Sequence, residues 1–515
     1  MRKLKWSVFF VLITLGLETG SHKSFLFLKQ AYCENLKNPP LLFAEGSSAE
    51  EEEKPLVLSL DTVTDIALTN SLDIQIAKYD AFIEETSLGL AQSIFDTFFQ
   101  FEAAYDSDKK MSASTLMGEA QEQKSFSLGV SKKIPSGTTV SLNFSDIKYR
   151  TDSLFNTVNP YHESLAEISV KQELGRNFFG LKDRSQIKIT KIDIENSRFT
   201  SLDDIEKSLA EVQKSYWNIV LKTEELEIAS DMLSEAERLY RIYKDKYSLG
   251  LAEESELMAM EALVLTRESE LASARLALES ACNDLLFLLN RGDFNRIIKA
   301  KDKMAVETEK TILEESLKEA INNRRDYKRI KNKIEKNRIE LVVKKNALWP
   351  SIDLKASFIR NNIKPARGDA WQDIREESNN EVAVTFSVNL PWENRQAESE
   401  LKKAELTKGK LLIDLKRVER LILREINNKV KKVNVALSQL KLLEKTVELH
   451  EKKLDEEIER INYGRSNSDT LIQYEEDLIK SRLALAHKRY EYLISVIDLE
   501  LAKNSLLDRY WQELL

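Results

Sequence analysis

Glycine, proline and cysteine are all scarce in this 515-residue sequence, with 14, 8 and 2 residues respectively. Average usage would supply about 36 glycines and about 26 prolines. A chain this poor in turn-forming residues excludes a fold of short elements with frequent reversals. Between Leu181 and Arg291 the sole glycine is Gly250 and there is no proline; from Trp392 onward the glycines are Gly409 and Gly464, again without proline. Such stretches predict a few very long helices. Long apolar runs are missing too. No internal segment approaches the roughly 18–20 apolar residues of a membrane-spanning helix. The net charge of −8 comes without a basic block, which excludes a nucleic-acid-binding surface. No glycine-rich phosphate loop, HExxH or nucleophile elbow occurs. The four histidines (His22, His162, His450, His487) match no metal spacing. The sequence therefore predicts neither an enzyme nor a cofactor or metal site.

What is present begins with a leader. Arg2, Lys3 and Lys5 precede an apolar run from Trp6 to Leu17, the pattern of a secretory signal peptide. Residues 1–33 are read as that signal, with cleavage near Cys33 or, alternatively, Ala44, and residues 34–57 as a flexible lead-in. Cleavage there leaves Cys282 without a disulfide partner, so the exported protein must be stable by other means.

The chain then repeats itself. "ALTNSLDI" from Ala67 matches "AINNRRDY" from Ala320, an offset of 253 (320 − 67). "ISVKQEL" ending at Leu174 matches "VTFSVNL" ending at Leu390, an offset of 216 (390 − 174), and the two isolated glycines stand 214 apart (464 − 250). Each copy reads as helix, strand, strand, very long helix, glycine turn, helix; the copies span 58–300 and 301–515. Strands are predicted from period two: Phe99, Phe101, Ala103 and Tyr105 in one copy, and Ile352, Leu354, Ala356 and Phe358 in the other. The return strands carry Ile168, Val170 and Leu174, then Val384, Phe386, Val388 and Leu390. Lengths of about 8–11 residues suit a tilted membrane strand. The first copy holds 37 more residues (253 − 216). These form a candidate extra hairpin at about 108–146, turning at Pro135–Gly137. Four strands per chain are expected, with six as the alternative.

The helical segments carry heptads. Leu226, Ala229, Leu233, Ala236, Tyr240, Tyr243 and Tyr247 follow a 3-4 spacing, as do Leu271, Ala274, Leu278, Ala281, Leu285 and Leu288. In the second copy Val447, Leu454 and Ile461 recur by seven, and so do Leu471, Leu478 and Leu485. Four strands cannot close a barrel, and open sheet edges are not tolerated in lipid. Several chains together could close one. The parts thus predict an oligomeric tube: a β-barrel in a membrane continued by an α-helical barrel in water.

With its order duplicated, and with "ALTNSLDI", "WPSIDLKASF", "VTFSVNLPW" and the two glycine turns, the sequence resembles the TolC family of outer-membrane channels from about Leu58 to Leu507. The resemblance implies a mainly α fold with membrane strands, in which a homotrimer builds a twelve-stranded barrel and a coiled-coil tunnel. It implies the outer membrane of a Gram-negative-type bacterium and contact with outer-membrane lipid. The implied role is a passive exit duct for an efflux pump or type I secretion system. Implied partners are a periplasmic adaptor (membrane fusion) protein and an inner-membrane pump or ABC transporter. The glycine turns would form the periplasmic tip, with Leu249, Gly250, Leu251, Tyr463, Gly464 and Arg465 as adaptor contacts. The family's gate residues transfer poorly. Ile461, Ser466, Thr470 and Gln473 stand where a tyrosine, an arginine and two aspartates are expected. Glu256 retains the acidic position of the first copy, and Arg465 and Asp469 are the nearest substitutes, so Glu256, Arg465 and Asp469 are the gate candidates. The competing reading is a soluble periplasmic coiled-coil adaptor or spacer.

Overall fold

The computed structural model describes residues 55–110, 120–152, 157–294, 296–306, 310–376, 379–463 and 468–510. The signal peptide and most of the lead-in lie outside the described residues, as do Gly464 and Arg465. The end of the stretch read as lead-in is structured: Leu56–Leu58 form strand β1. Helices α1 (Leu60–Asn70) and α2 (Leu72–Gln92) follow. Next come strands β2 (Thr97–Asp108), β3 (Gln121–Lys133), β4 (Thr138–Thr151) and β5 (Tyr161–Glu173). Helices α3 (Leu181–Ser248) and α4 (Glu254–Leu288) complete the first half. The second half runs β6 (Ile298–Ala300), α5 (Leu313–Asn323), α6 (Arg325–Asn346) and β7 (Ser351–Lys364). It continues through α7 (Arg367–Glu376), β8 (Asn380–Asn389), α8 (Arg395–Asn462) and α9 (Ser468–Lys503).

The repeat legible in the sequence is a repeat of structure. Helices α3 and α8 are each 68 residues long, about 100 Å at about 1.5 Å per residue. Each half also opens with a three-residue strand, and these two, β1 and β6, pair in parallel from Leu56↔Ile298 to Leu58↔Ala300. Asp302, just past β6, accepts from the backbone N–H of Leu60 at 2.7 Å and from the Tyr216 hydroxyl at 2.8 Å. A carboxylate from the second half thereby sits at the N-terminus of α1 in the first, where the helix dipole favours negative charge.

Two apolar clusters hold the helices. One joins β1, α1, α3, α4 and β6 around Tyr216, Leu209 and Ile298. The other runs along the second hairpin, where Ile426, Val433, Leu440, Val447, Leu454 and Ile461 are buried at intervals of seven and face Leu471, Leu478 and Leu485. That seam matches the heptads. In α3 the seam differs from expectation. Ile228, Met232, Ala236, Leu239 and Tyr243 are buried, while Leu226, Ala229, Leu233 and Tyr240 are half-buried and Tyr247 is exposed. The buried row shares Ala236 and Tyr243 with the expected one, and elsewhere takes Ile228, Met232 and Leu239, each one position before an expected residue.

The strand count also corrects the expectation. All six long strands form one antiparallel sheet in the order β2-β3-β4-β5-β7-β8. The extra hairpin occupies residues 121–151 rather than about 108–146, and it stands inside the sheet between β2 and β5.

Candidate functional site: hairpin tips and strand belt

At the first tip the chain must reverse after α3. Gly250 adopts φ +71°, a conformation that costs glycine nothing. Its N–H donates to the Tyr247 carbonyl (3.0 Å) and the Leu251 N–H to the Lys246 carbonyl (2.8 Å). This double closure satisfies the last helix carbonyls. Helix α4 restarts with the Glu256 carboxylate accepting from the Glu253 N–H at 3.0 Å, a local capping contact. Leu249, Leu251 and Tyr463 stand 72%, 73% and 77% exposed. Three large apolar side chains are thus open to water at this end of the molecule instead of being packed in a core. The second tip turn, with Gly464 and Arg465, lies outside the described residues, so the Arg465 part of the gate expectation does too.

Two side chains that the sequence reading assigned to packing, or passed over, connect the tips. Lys246 Nζ donates to the Ile461 carbonyl at 3.3 Å and lies 5.4 Å from the centre of the Tyr243 ring. Burial pushes the Tyr243 hydroxyl up, and the charges of Glu256 and Asp469 add to the push. Gate candidates from both hairpins are therefore within electrostatic reach of one buried tyrosine. Nothing in a single-hairpin pattern reveals this, because Tyr243 occupies an ordinary heptad position.

Further along the hairpins Arg267 of α4 and Glu475 of α9 are buried together with 3.7 Å between their nearest charged atoms. Burial pushes the Glu475 carboxyl up to about 7; Arg267 opposes this, and Glu235, Glu476 and Glu270 reinforce it.

At the other end the sheet sorts its side chains by face. Ladder partners share a face, and the row Phe99–Val130–Leu142–Ile168–Phe358–Val382 crosses all six strands. The adjoining row on the same face, through Lys132, Val140, Val170, Ala356 and Val384, is apolar except at its Thr97–Lys132 end. The opposite face carries Gln100, Ser127, Ser145, Glu167, Ser357 and Glu381, among others. Large apolar side chains of the first face are open to the surroundings, with Phe99, Phe101 and Val382 each 71% exposed. An apolar belt on one face of a sheet whose other face is polar is the pattern of a transmembrane β-barrel. Exposed aromatics flank the belt. Phe178, Phe179, Trp349 and Trp392 lie where strands meet helices. Trp371 of α7 packs against Phe144 near the far end, with 6.1 Å between ring centroids.

Among the described residues no helix is long and apolar enough to cross a membrane. Nor does any group of three or more His, Cys, Asp or Glu there form a candidate metal cage.

No protein-family profile and no curated protein matches this sequence. Solved structures do. The crystal structures of CusC, described in terms of folding and transmembrane channel formation, superpose with a TM-score of 0.65 at 14% identity, covering 90% of this chain and 96% of that one. The Campylobacter jejuni CmeC outer-membrane channel gives 0.62 at 15% identity, over 88% of this chain and 89% of the other. The open state of the Neisseria gonorrhoeae MtrE outer-membrane channel gives 0.61 at 16%, over 87% and 89%. The fold is thus that of the TolC-type outer-membrane channels, over nearly the whole of both chains.

Proposed function

We propose that this protein is an outer-membrane exit duct, a passive channel serving an efflux pump or a type I secretion system. Three copies would join their sheets into a barrel in outer-membrane lipid, and their helical hairpins into a periplasmic tunnel. The observation that carries this is the sheet itself: a one-sided apolar belt with an unclosed edge at each end, standing on helices about 100 Å long. Edges of this kind are not left open in lipid. Strand direction alternates through the order β2-β3-β4-β5-β7-β8, so β8 of one copy meets β2 of the next antiparallel, and a head-to-tail ring closes. Apolar side chains left on the outer surface of the long helices, Leu265, Leu276, Ile413 and Leu442 among them, suit neighbours in the same ring. The soluble adaptor reading gives no use to the belt.

The exposed Leu249, Gly250, Leu251 and Tyr463, with Gly464 and Arg465 beside them in sequence, would meet a periplasmic adaptor. That adaptor would bring an inner-membrane pump or ABC transporter, which supplies the energy. Lys246, Tyr243, Glu256 and Asp469 would form the inner constraint of the closed tip, joined by Arg465. Native mass spectrometry of the detergent-solubilised protein, beside planar-bilayer recording, tests the reading. A trimer giving discrete channels is expected; a detergent-independent monomer or dimer that never conducts would sink it.

A further inference from the structure

The geometry points to a barrel of eighteen strands rather than twelve, and so to an exit mouth wider than the helical tunnel beneath it. The inference rests on the duct reading for its copy number, and on this sheet for the strands: three copies of a six-stranded sheet give 3 × 6 = 18.

The question is whether β3 and β4 are wall or ornament. Three observations make them wall. First, they are laddered on both sides along their length, β3 to β2 from Thr97↔Lys132 to Asp108↔Gln121, and β4 to β5 from Thr138↔Gln172 to Tyr149↔Tyr161. An appendage would leave β2 and β5 to pair with each other. Second, the face pattern runs through them without a break. Leu128, Val130, Leu142 and Phe144 continue the apolar belt, while their alternates Ser127, Ser131, Ser141 and Asn143 continue the polar face. A hairpin wet on both sides would have no reason to alternate.

Third, the hairpin is seated at its base. Its turn, Pro135–Gly137, abuts the β5–α3 junction. A Cβ on Gly180 would fall 2.4 Å from the Pro135 carbonyl oxygen, and one on Gly137 would fall 2.5 Å from the Gly180 nitrogen. The Lys133 ammonium of β3 pairs with Asp183 of α3 at 2.8 Å, and Thr138 donates to Gln172 at 2.5 Å. The second half provides the control. By the repeat offset of 214, Gly180 corresponds to Asn394 (394 − 180), and both residues adopt positive φ, +73° and +45°. The second half has no hairpin at this junction, and there asparagine suffices. In the first half the position must be glycine, because the hairpin's carbonyl occupies the space of a side chain.

Barrel diameter grows roughly linearly with strand number, so eighteen strands give a radius about 1.5 times that of twelve and a section a little over twice as large. The long helices do not increase to match. Their number per chain is unchanged, and the added strands stand on the junction instead of on helices of their own. The inserted part of the polar face is lined by small uncharged side chains such as Ser125, Ser127 and Ser145. These add width without an electrostatic barrier to cargo. Size selection then belongs to the tunnel and its tip, and the mouth admits whatever has passed them.

The test uses the full mature protein in detergent. Native mass spectrometry counts copies, and electron cryomicroscopy of the same sample counts strands in barrel cross-section. Three copies with eighteen strands are expected. Three copies with twelve strands and the hairpin outside the wall would overturn this inference and leave the duct reading standing. Any other copy number would overturn the trimeric reading on which the count depends.

Discussion

The two halves of this molecule agree in their long helical hairpins and differ in the strands of the sheet. Helices α3 and α8 are both 68 residues long, and α4 and α9 differ by one residue, at 35 and 36. Between the outward and returning strands, by contrast, the first half places a two-stranded hairpin and the second a ten-residue helix, α7. Hairpins packed side by side along a heptad seam must reach the same tip, so a change of one turn in one half would put its knobs out of register with its neighbours. A strand connection faces no such partner and can grow. Length is therefore constrained by what lies alongside, which teaches where this fold can be altered.

That comparison can be broken most severely where the halves meet. Glu206 of α3 is fully buried and receives Arg325 of α6, the Asn504 amide (2.7 Å) and the backbone N–H of Leu506 (2.9 Å). Glu206→Ala leaves Arg325 with Asp203 alone, at 3.2 Å, and the Leu506 N–H without its acceptor, and a loss of about 3 kcal/mol is expected, read as the midpoint of chemical unfolding. Next comes the junction pair. Gly180→Asn keeps a residue that tolerates positive φ but forces a Cβ onto the Pro135 carbonyl, at a cost of about 1–3 kcal/mol. Asn394→Gly removes only a side chain that donates to the Leu348 carbonyl at 3.1 Å, about 1 kcal/mol. Equal effects at both sites would show that the hairpin does not crowd Gly180.

A third prediction concerns pH. The Glu475 carboxyl is pushed from 4.5 up to about 7, so the folded chain holds a proton that the unfolded chain releases. Stability contributed by this proton is present below about pH 4.5 and is lost as pH rises towards about 7. Arg267, Glu235, Glu270 and Glu476 face the group. The melting temperature of the wild type should fall by several degrees between pH 5 and pH 8, and Glu475→Gln should flatten that fall. A variant with the wild-type slope would locate the titration elsewhere. The smallest expected effect on stability is at the tip. Lys246→Met removes the hydrogen bond to the Ile461 carbonyl while keeping the aliphatic stem, and should cost no more than about 1 kcal/mol. Single-channel conductance should nevertheless rise several-fold, and an unchanged conductance would remove Lys246 from the closed tip.

Much of this architecture was legible because periodicity is a local property. The Ile461 and Leu471 seams, the alternation through Phe99–Tyr105 and the turn at Gly250 each declare themselves within a dozen residues. The repeat offsets align α3 with α8 from sequence alone. Strands β1 and β6 were not legible, since three residues carry no period and their pairing joins positions 242 apart (298 − 56). Whether the hairpin entered the sheet was likewise a question of partners. Its alternation was visible, but its neighbours β2 and β5 were not. In α3, two apolar rows lie side by side and meet at Ala236 and Tyr243, and the heptad spacing does not distinguish Ile228, Met232 and Leu239, which the chain buries, from their half-buried neighbours. At the tip, the residues nearest the glycines stand out in the sequence, whereas Lys246 and Tyr243 meet the Ile461 carbonyl and the charge of Asp469 only across the two hairpins.

The two unpaired edges of the sheet have a consequence for a single copy of the chain. A lone chain carries two long strands with one unpaired edge each, β2 and β8, and exposed phenylalanines beside them. In water such a species templates its own aggregation. Assembly of the proposed ring would then be a race between copies finding one another and copies precipitating. Anything that shields those strands in transit, such as a holdase, would govern yield more than the stability of the finished ring.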